Sequence, residues 1–252
     1  MSVDELEKRL RELRLSEFLR HYSDLAIVYE QKNKSCIDYL TELVDREMEG
    51  RYHRRIDRLL KQAKIPRSKT LQSFDTKQIG SITPSQIKRW AEGQFIDRQQ
   101  NLLIFGNPGT GKTHLCLALV EQWCLMGRRV YYATAAELIE KLLQAKSELK
   151  LDRLIKKLDR YEVLVIDDIS YIPCQREETD VLFTLLSARY EMRSLVITSN
   201  LAFGQWGQIF KDEMTTQAAI DRLVHHGIII ELNGESYRMK TAQKNKETEV
   251  NE

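Results

Sequence analysis

The sequence predicts an α/β domain built on a parallel sheet, preceded by a small all-α domain. Before residue 69 the chain carries apolar residues at helical spacing, with no glycine ahead of Gly50 and no proline ahead of Pro66. After residue 69, short apolar runs alternate with helical segments. Continuous apolar runs are typical of strands buried on both faces, and their alternation with helices favours a parallel sheet.

The all-α domain is predicted over residues 1–68. Apolar residues from Leu6 to Leu19 recur at helical spacing, and residues 38–58 form a second stretch with one apolar side. Pro66 then stops the helices, which indicates a linker at this point. The α/β domain is expected to span residues 69–240, and the polar residues 241–252 are expected to form a disordered tail.

Five short apolar runs, mostly rich in β-branched or aromatic residues, predict the strands. The third run ends in Asp167 and Asp168, and the fourth ends in Ser199 and Asn200. The runs are residues 102–105, 129–134, 163–166, 195–198 and 228–230.

Composition narrows the class of protein only slightly. The chain has 252 residues, enough for one sizeable domain and a small one, and its formal charge of +2 indicates no particular partner. No run approaches the roughly 20 apolar residues that span a bilayer, and the polar start argues against a signal peptide. We therefore expect a cytoplasmic protein without a membrane partner. The four cysteines lack Cys-x-x-Cys spacing, which indicates reduced thiols and no zinc site.

A phosphate-binding motif lies between the first predicted strand and the helix after it. The pattern G-x-x-x-x-G-K-[ST] is satisfied in full, which predicts a site for ATP and Mg²⁺. Glycines let backbone amides surround the phosphates, and the helix N-terminus adds partial positive charge. Lys112 is expected to reach the β- and γ-phosphates, and the Thr113 hydroxyl is expected to ligate Mg²⁺. The predicted nucleotide-binding residues are Gly106, Asn107, Pro108, Gly109, Thr110, Gly111, Lys112, Thr113 and the following residue, His114.

Polar residues at two strand ends are candidates for the chemistry. Asp167 is expected to hold Mg²⁺, and Asp168 either activates the attacking water or caps the following segment. Paired acids at a buried strand end are costly without a cation, which favours the catalytic role. Asn200 either lies between Mg²⁺-bound water and the γ-phosphate or is an ordinary turn residue.

The order of these motifs, followed by Asp221-Arg222-Leu223, resembles the AAA+ ATPases. Residues 219–226 and 230–238 resemble the IstB/DnaC branch, and within it the IstB family of ATPase helpers of insertion-sequence transposition. Residues 43–55 and 69–75 are also similar to that family, so the resemblance covers nearly the whole chain. It implies an AAA+ P-loop NTPase domain with the parallel strand order 5-1-4-3-2.

The resemblance also implies roles for single residues. Lys112, Thr113 and Asp167 would bind nucleotide and Mg²⁺, Asp168 would activate water, and Asn200 would be sensor 1. The usual base of AAA+ proteins is glutamate, and Asp168 is one methylene shorter. About thirty residues follow Arg222, too few for a C-terminal helical lid.

Arg222 matches the arginine finger of the family. A guanidinium that enters the ATP site of a neighbouring subunit stabilises charge on the transferring phosphoryl group. This role implies a homo-oligomer with ATP at the subunit interfaces. The residues alone leave open a surface salt bridge between Arg222 and Asp221 or Glu213.

The function implied by the resemblance is an ATP-dependent DNA-binding and DNA-remodelling helper of insertion-sequence transposition. Such a protein would assemble on duplex DNA and recruit or stimulate an IstA-type transposase. Two alternatives stay open. One is a replicative-helicase loader, and the other is a nucleotide-gated DNA-binding module without turnover.

Two basic stretches are candidates for contact with duplex DNA. Residues 46–69 carry nine basic side chains against three acidic ones, which indicates phosphate binding, although a solvated helix face has the same pattern. A second basic run could face the centre of an assembly, as the AAA+ resemblance implies, or form an amphipathic helix with i,i+4 ion pairs. The candidates are Arg51, Arg54, Arg55, Arg58 and Lys61 in the first stretch, and Lys146, Lys150 and Arg153 in the second.

The adjacent histidines His225 and His226 are the remaining conspicuous pair. Adjacent side chains on a helix point about 100° apart, so the sequence does not predict that they share a metal ion. Phe74 and Ile79 are the candidates for the adenine pocket. The three tryptophans are expected in the core or at an interface.

Overall fold

The computed structural model describes residues 2–66, 69–74, 82–171, 176–210, 212–234 and 236–237. The chain divides into two compact units, Met1–Arg58 and Leu59–Glu252. This division falls inside a long helix, whereas the sequence places the boundary at residue 68. Among the described residues, no helix is both long and apolar enough to cross a membrane.

The helical unit contains α1 (Val3–Glu12), α2 (Ser16–Gln31) and most of α3 (Cys36–Gln62). Ser2 caps α1 by accepting a hydrogen bond from the Glu5 amide. The apolar spacing from Leu6 to Leu19 spans two helices instead of one, because the chain turns after α1, where Arg14 has a φ of 56°. The predicted second helix, residues 38–58, is extended at both ends in α3.

A buried ionic cluster joins α2 to α3. Glu17 and Glu47 are both buried, and Glu47 accepts a hydrogen bond from the Glu17 amide at 2.7 Å. Arg51 Nε lies 2.8 Å from Glu47 Oε1, and Arg54 pairs with both carboxylates. A Cβ at Gly50 would collide with the Glu17 side chain, so glycine allows the two helices to approach here. Two of the predicted DNA-binding arginines therefore hold the helical unit together.

The α/β unit is built on a five-stranded sheet. Its strands are β1 (Asn101–Gly106), β2 (Val130–Thr134), β3 (Val163–Asp167), β4 (Ser194–Ser199) and β5 (Gly227–Leu232). All neighbouring strands pair in parallel in the order β2-β3-β4-β1-β5, which confirms the predicted order 5-1-4-3-2. Because the strands are parallel, their carboxyl ends meet at one edge of the sheet.

Helices cover the sheet. The helices of this unit are α4 (Pro84–Ala91), α5 (Gln94–Asp97), α6 (Lys112–Leu125), α7 (Ala135–Ser147), α8 (Leu151–Leu158), α9 (Arg176–Arg189), α10 (Gly207–Phe210) and α11 (Glu213–Val224). One core cluster combines Leu103 and Phe105 of β1 with buried side chains of α7, α9 and α11, and Trp206 belongs to it. The α6 helix packs on β1, β2 and β4, and α4 packs on α6.

The tryptophans and the described cysteines have structural surroundings. Trp90, Trp123 and Trp206 are all buried, and Trp123 Nε1 donates to the Trp90 carbonyl at 2.9 Å, so the tryptophans belong to the core. The described cysteines are free thiols, two of them buried and Cys36 exposed. Burial raises the pKa of Cys124 to about 12, so this thiol is unreactive.

Candidate nucleotide-binding site

The phosphate-binding motif forms the loop between β1 and α6. Gly109 and Gly111 have φ values of 84° and 97°, which glycine adopts without strain. A Cβ at Gly106 would lie 2.7 Å from the Leu232 carbonyl oxygen, and one at Gly109 would collide with Ser236. The Tyr237 amide also donates to the Gly109 carbonyl at 3.0 Å. The glycines are therefore required by backbone conformation and by the end of β5 and the residues after it, which lie against the loop.

Lys112 begins α6 and spans the loop. Its side-chain ammonium donates to the carbonyls of Gly106 and Asn107 at 2.7 and 2.9 Å, and the residue is 7% exposed. The Thr110 hydroxyl donates to the Asn107 carbonyl at 2.9 Å, which tightens the loop from the other side. A phosphate oxygen would compete with the two carbonyls for the ammonium. The Lys112 ammonium thus lies against the backbone of the phosphate loop.

Asp167 lies at the carboxyl end of β3, next to the start of α6. Its Oδ1 accepts hydrogen bonds from Thr198 Oγ1 at 2.6 Å and from Thr113 Oγ1 at 3.3 Å. The structure brings Thr113 and Asp167 together, as the sequence predicts. A hydroxyl and a carboxylate are hard oxygen ligands of the kind that Mg²⁺ prefers, so the residues present fit that ion.

Tyr132 is a further member of this cluster, and the sequence analysis missed it. Its hydroxyl donates to Asp167 Oδ2 at 2.9 Å from the neighbouring strand β2. Burial, followed by the charge of Asp167 and the hydrogen bond to it, raises the pKa of Tyr132 far above its ordinary value. The phenol therefore stays a neutral donor. Its position depends on the register of β2 against β3, which apolar runs in a sequence do not specify.

Asp168 and Asn200 meet at the ends of β3 and β4. Asn200 Nδ2 donates to Asp168 Oδ1 at 3.1 Å, and the Asp168 amide donates to Thr198 Oγ1 at 2.7 Å. Asp168 has a φ of 60°, an uncommon conformation for a residue with a side chain. The Asn200 amide in turn donates to Ser170 Oγ at 2.6 Å. Hydrogen bonds thus hold both side chains at the same edge as the phosphate loop.

His114 connects the loop to the segment before α4. Its Nε2 lies 3.1 Å from Ser73 Oγ and 3.2 Å from the Thr70 carbonyl, and its ring meets Phe74 edge to face at 5.4 Å. Burial lowers the pKa of His114, so the ring is neutral near pH 7. Phe74 is thus near the start of α6, whereas Ile79 lies outside the described residues.

Arg222 lies near the C-terminal end of α11. It donates to the Ala218 carbonyl at 2.9 Å, and its guanidinium carbon lies 5.0 Å from the centre of the Phe183 ring. No ion pair joins Arg222 to Asp221 or Glu213, all three of which the structure describes. The salt bridge that the sequence left open is therefore not formed.

The remaining basic candidates differ in their surroundings. All five basic candidates on α3 are exposed, and two of them, Arg51 and Arg54, pair with buried acids. The other three are Arg55, Arg58 and Lys61. In the second stretch Arg153 is exposed, Lys146 is half-buried, and Lys150 pairs with Glu148 at 2.8 Å.

His225 and His226 do not lie on a helix as the sequence analysis assumed. The helix ends at Val224, so the two histidines are not adjacent positions within a helix. Ring nitrogens of both approach the same carboxylate oxygen of Glu191, at 4.0 and 3.7 Å.

Comparison with known proteins assigns the family. Residues 8–245 match the family described as IstB-like ATP binding protein. The chain belongs to this family. An insertion sequence ATP-binding protein of Sinorhizobium fredii is 39% identical over 242 residues, which are 94% of this chain and 80% of the relative. The IS21 ATP-binding protein of Pseudomonas aeruginosa is 36% identical over 242 residues, 96% of this chain and 91% of the relative.

Two solved structures share the fold of this IstB-like protein over most of its chain. AMPPCP-bound DnaA from Aquifex aeolicus matches with a TM-score of 0.57 at 18% identity, over 73% of this chain and 56% of that one. The DnaC helicase loader matches with a TM-score of 0.53 at 18% identity, over 66% of this chain and 98% of that one. At these identities the likeness shows the fold alone.

Proposed function

We propose that this IstB-like protein hydrolyses Mg-ATP to drive a DNA-bound assembly in insertion-sequence transposition. The observation that carries the proposal is the convergence of Thr113, Asp167, Asp168 and Asn200 beside the phosphate loop. A site that only bound nucleotide would not require a second carboxylate, Asp168, held by the side-chain amide of Asn200 at the same edge of the sheet. The relatives that are 39% and 36% identical are described as insertion sequence ATP-binding proteins.

Binding of the triphosphate falls to the loop and to Lys112. Loop amides would face the phosphate oxygens, and the ammonium would exchange the carbonyls of Gly106 and Asn107 for the β- and γ-phosphates. Thr113 and Asp167 would hold Mg²⁺, which neutralises charge on the phosphates when bound. The hydrogen bonds from Tyr132 and Thr198 fix the Asp167 carboxylate before any ligand arrives.

Asp168 and Asn200 would act on the attacking water. The carboxylate of Asp168 accepts a proton as the water oxygen bonds to the γ-phosphorus, and ADP leaves with the electrons of the broken P–O bond. Asn200 holds Asp168 Oδ1 in place, which would orient the carboxylate for the water. The products are ADP and inorganic phosphate.

Arg222 would complete the site of a neighbouring subunit, in a homo-oligomer with ATP at its interfaces. Its guanidinium forms no ion pair with Asp221 or Glu213, and its known contacts, the Ala218 carbonyl and the Phe183 ring, are weak enough to exchange. Hydrolysis would then depend on assembly, because each active site would use Arg222 of the next subunit.

Duplex DNA and a transposase are the proposed partners. Arg55, Arg58, Lys61 and Arg153 are exposed and would neutralise backbone phosphates, with affinity that falls as salt is raised. Arg51 and Arg54 have a smaller share, since buried glutamates already neutralise them. The assembly formed on DNA would recruit or stimulate an IstA-type transposase.

Phosphate release by the purified chain, with and without duplex DNA, tests the proposal. Wild type should turn over ATP faster with DNA, and Lys112→Ala should abolish nucleotide binding, whereas Lys141→Ala, which changes an exposed lysine, should leave binding intact. Asp168→Asn should bind ATP and stay assembled for longer than wild type. ATP binding with no phosphate release would indicate a nucleotide-gated module instead. Capture of a hexameric helicase without any affinity for duplex DNA would favour a helicase loader.

A further inference from the structure

Two histidines and a glutamate converge at the opposite edge of the α/β unit, where β5 begins. One ligand atom from each of Glu191, His225 and His226 lies within 4.8 Å of the others. His226 Nε2 is 3.7 Å from Glu191 Oε1, and His225 Nδ1 is 4.0 Å from the same oxygen. The two imidazole rings lie against each other, with centres 4.1 Å apart.

The backbone holds all three ligand residues in position. The His225 amide donates to the Asp221 carbonyl at 2.9 Å, and the His226 carbonyl accepts from the Asn101 amide at 3.0 Å. Glu191 lies in the turn between α9 and β4 with a φ of 58°. Hydrogen bonds from Met192 and Arg193 to the Arg189 carbonyl close that turn. The three side chains thus project from fixed points, although the side chains themselves are exposed.

We propose that Glu191, His225 and His226 bind a divalent transition metal ion of the zinc type. Two imidazole nitrogens and one carboxylate oxygen suit this class of ion, whereas Mg²⁺ and Ca²⁺ prefer oxygen ligands alone. Metal–ligand bonds of about 2.0–2.2 Å would bring each nitrogen a few tenths of an ångström closer to the Glu191 oxygen than it lies now. Exposed side chains can make that adjustment by small rotations.

The Tyr190 hydroxyl is the competitor for this site. It lies 2.9 Å from His225 Nδ1, the nitrogen that faces Glu191. The metal and the phenol would therefore exclude each other at that nitrogen. A bound ion would join the α9–β4 turn to the end of α11, the helix that carries Arg222. The site does not depend on whether the chain hydrolyses ATP.

Titration of the 252-residue chain with zinc, monitored by calorimetry in excess Mg²⁺, tests the assignment. Every protein compared carries Cys36→Ser, because Cys36 is an exposed thiol that could bind zinc itself. The reference protein should bind zinc at this site, and His226→Ala or Glu191→Gln should weaken that binding at least about tenfold, since even outer-shell changes cost that much. Circular dichroism should show unchanged folding, because the three side chains are exposed.

His53 provides the matched control. His53 Nε2 lies 3.7 Å from Glu49 Oε1, the same separation as in the proposed site, but no third ligand joins this pair among the described residues. His53→Ala should leave zinc binding unchanged, and Tyr190→Phe should strengthen it by removing the competitor. Equal zinc affinities in His226→Ala and His53→Ala would overturn the proposal. Weaker binding in Tyr190→Phe would overturn the assignment of His225 Nδ1 as a ligand.

Discussion

Asn200 Nδ2 donates a hydrogen bond to Asp168 Oδ1 over 3.1 Å, across the ends of two adjacent strands. The Asp168 backbone is fixed as well, by the bond from its amide to Thr198 Oγ1 at 2.7 Å. Thr198 also donates to Asp167, so one side chain positions both acids. The carboxylate proposed to take a proton is thus oriented by β4, and its effect on the rate should depend on that strand.

Asn200→Ala should lower kcat for ATP hydrolysis and leave KM nearly unchanged. It removes the hydrogen bond that orients Asp168 but leaves the phosphate loop intact. The expected loss is of order 10²-fold, at the low end of what positioned acid–base groups contribute. Steady-state phosphate release, together with ATP affinity from a fluorescent analogue, measures the two effects separately. Unchanged kcat would remove Asn200 from the proposed mechanism.

Tyr132→Phe should raise the Mg²⁺ concentration needed for half-maximal hydrolysis. The change deletes only the hydroxyl that bonds Asp167 Oδ2, so the carboxylate loses one of the groups that orient it. We expect a shift of about threefold to tenfold, equivalent to roughly 1 kcal/mol for one hydrogen bond. Tyr131→Phe is the control, because the neighbouring hydroxyl bonds Lys141 instead. Similar Mg²⁺ curves for the two variants would contradict a role for Tyr132 in positioning Asp167.

Arg222→Ala should abolish ATP turnover while ATP binding persists, with a loss of about 10³-fold or more as for other arginine fingers. A mixing experiment separates action in trans from action within one subunit. Lys112→Ala subunits cannot bind ATP but keep Arg222, and Arg222→Ala subunits bind ATP but lack the finger. Mixing them should restore part of the activity. Mixing Arg222→Ala subunits with subunits that carry both Lys112→Ala and Arg222→Ala should restore no activity. Activity in that mixture would indicate that another arginine supplies the finger.

Glu47→Gln should destabilise the helical unit near neutral pH. Burial acts to raise the pKa of Glu47, but hydrogen bonds from Arg51 and the Glu17 amide and the nearby arginine charges lower it overall. Because the folded-state pKa lies below the ordinary value of 4.5, the stabilisation is complete above that pH and is lost as pH falls through the folded value. We expect a loss of about 1–3 kcal/mol at neutral pH.

Urea unfolding, monitored by circular dichroism at several pH values, measures the loss of stability in Glu47→Gln. The difference between wild type and Glu47→Gln should narrow as the solution is acidified below the ordinary pKa. The exposed Glu49 offers a control, since among the described residues it forms an ion pair with His53 alone. A constant difference at every pH would show that Glu47 acts through packing and not through its charge.

The sequence predicted the parts of the site that depend on residues close together in the chain. The phosphate loop is one continuous motif, and the acids follow a recognisable buried strand, so the sequence could indicate that Thr113 and Asp167 come together, as they do. The strand order came from the resemblance, because apolar runs do not show which strands are neighbours.

Contacts between distant segments could not be predicted. Tyr132 reaches Asp167 only through the pairing of β2 with β3. The basic stretch suggested that Arg51 and Arg54 contact DNA. It did not show that these arginines also form ion pairs with the buried acids Glu17 and Glu47. The premise that both histidines lie on a helix was wrong for a local reason, since the helix ends at Val224, just before the pair.

The position of β1 between β4 and β5 has a consequence for synthesis of the chain. Its two hydrogen-bonding neighbours, β4 and β5, both come later in the sequence, and β5 closes the sheet only at Leu232. During translation, β1 therefore has unpaired edges along the apolar run from Leu102 to Phe105, and these edges can pair with other chains. A translation product that stops before Gly227 would keep one of these edges open and should accumulate as aggregates.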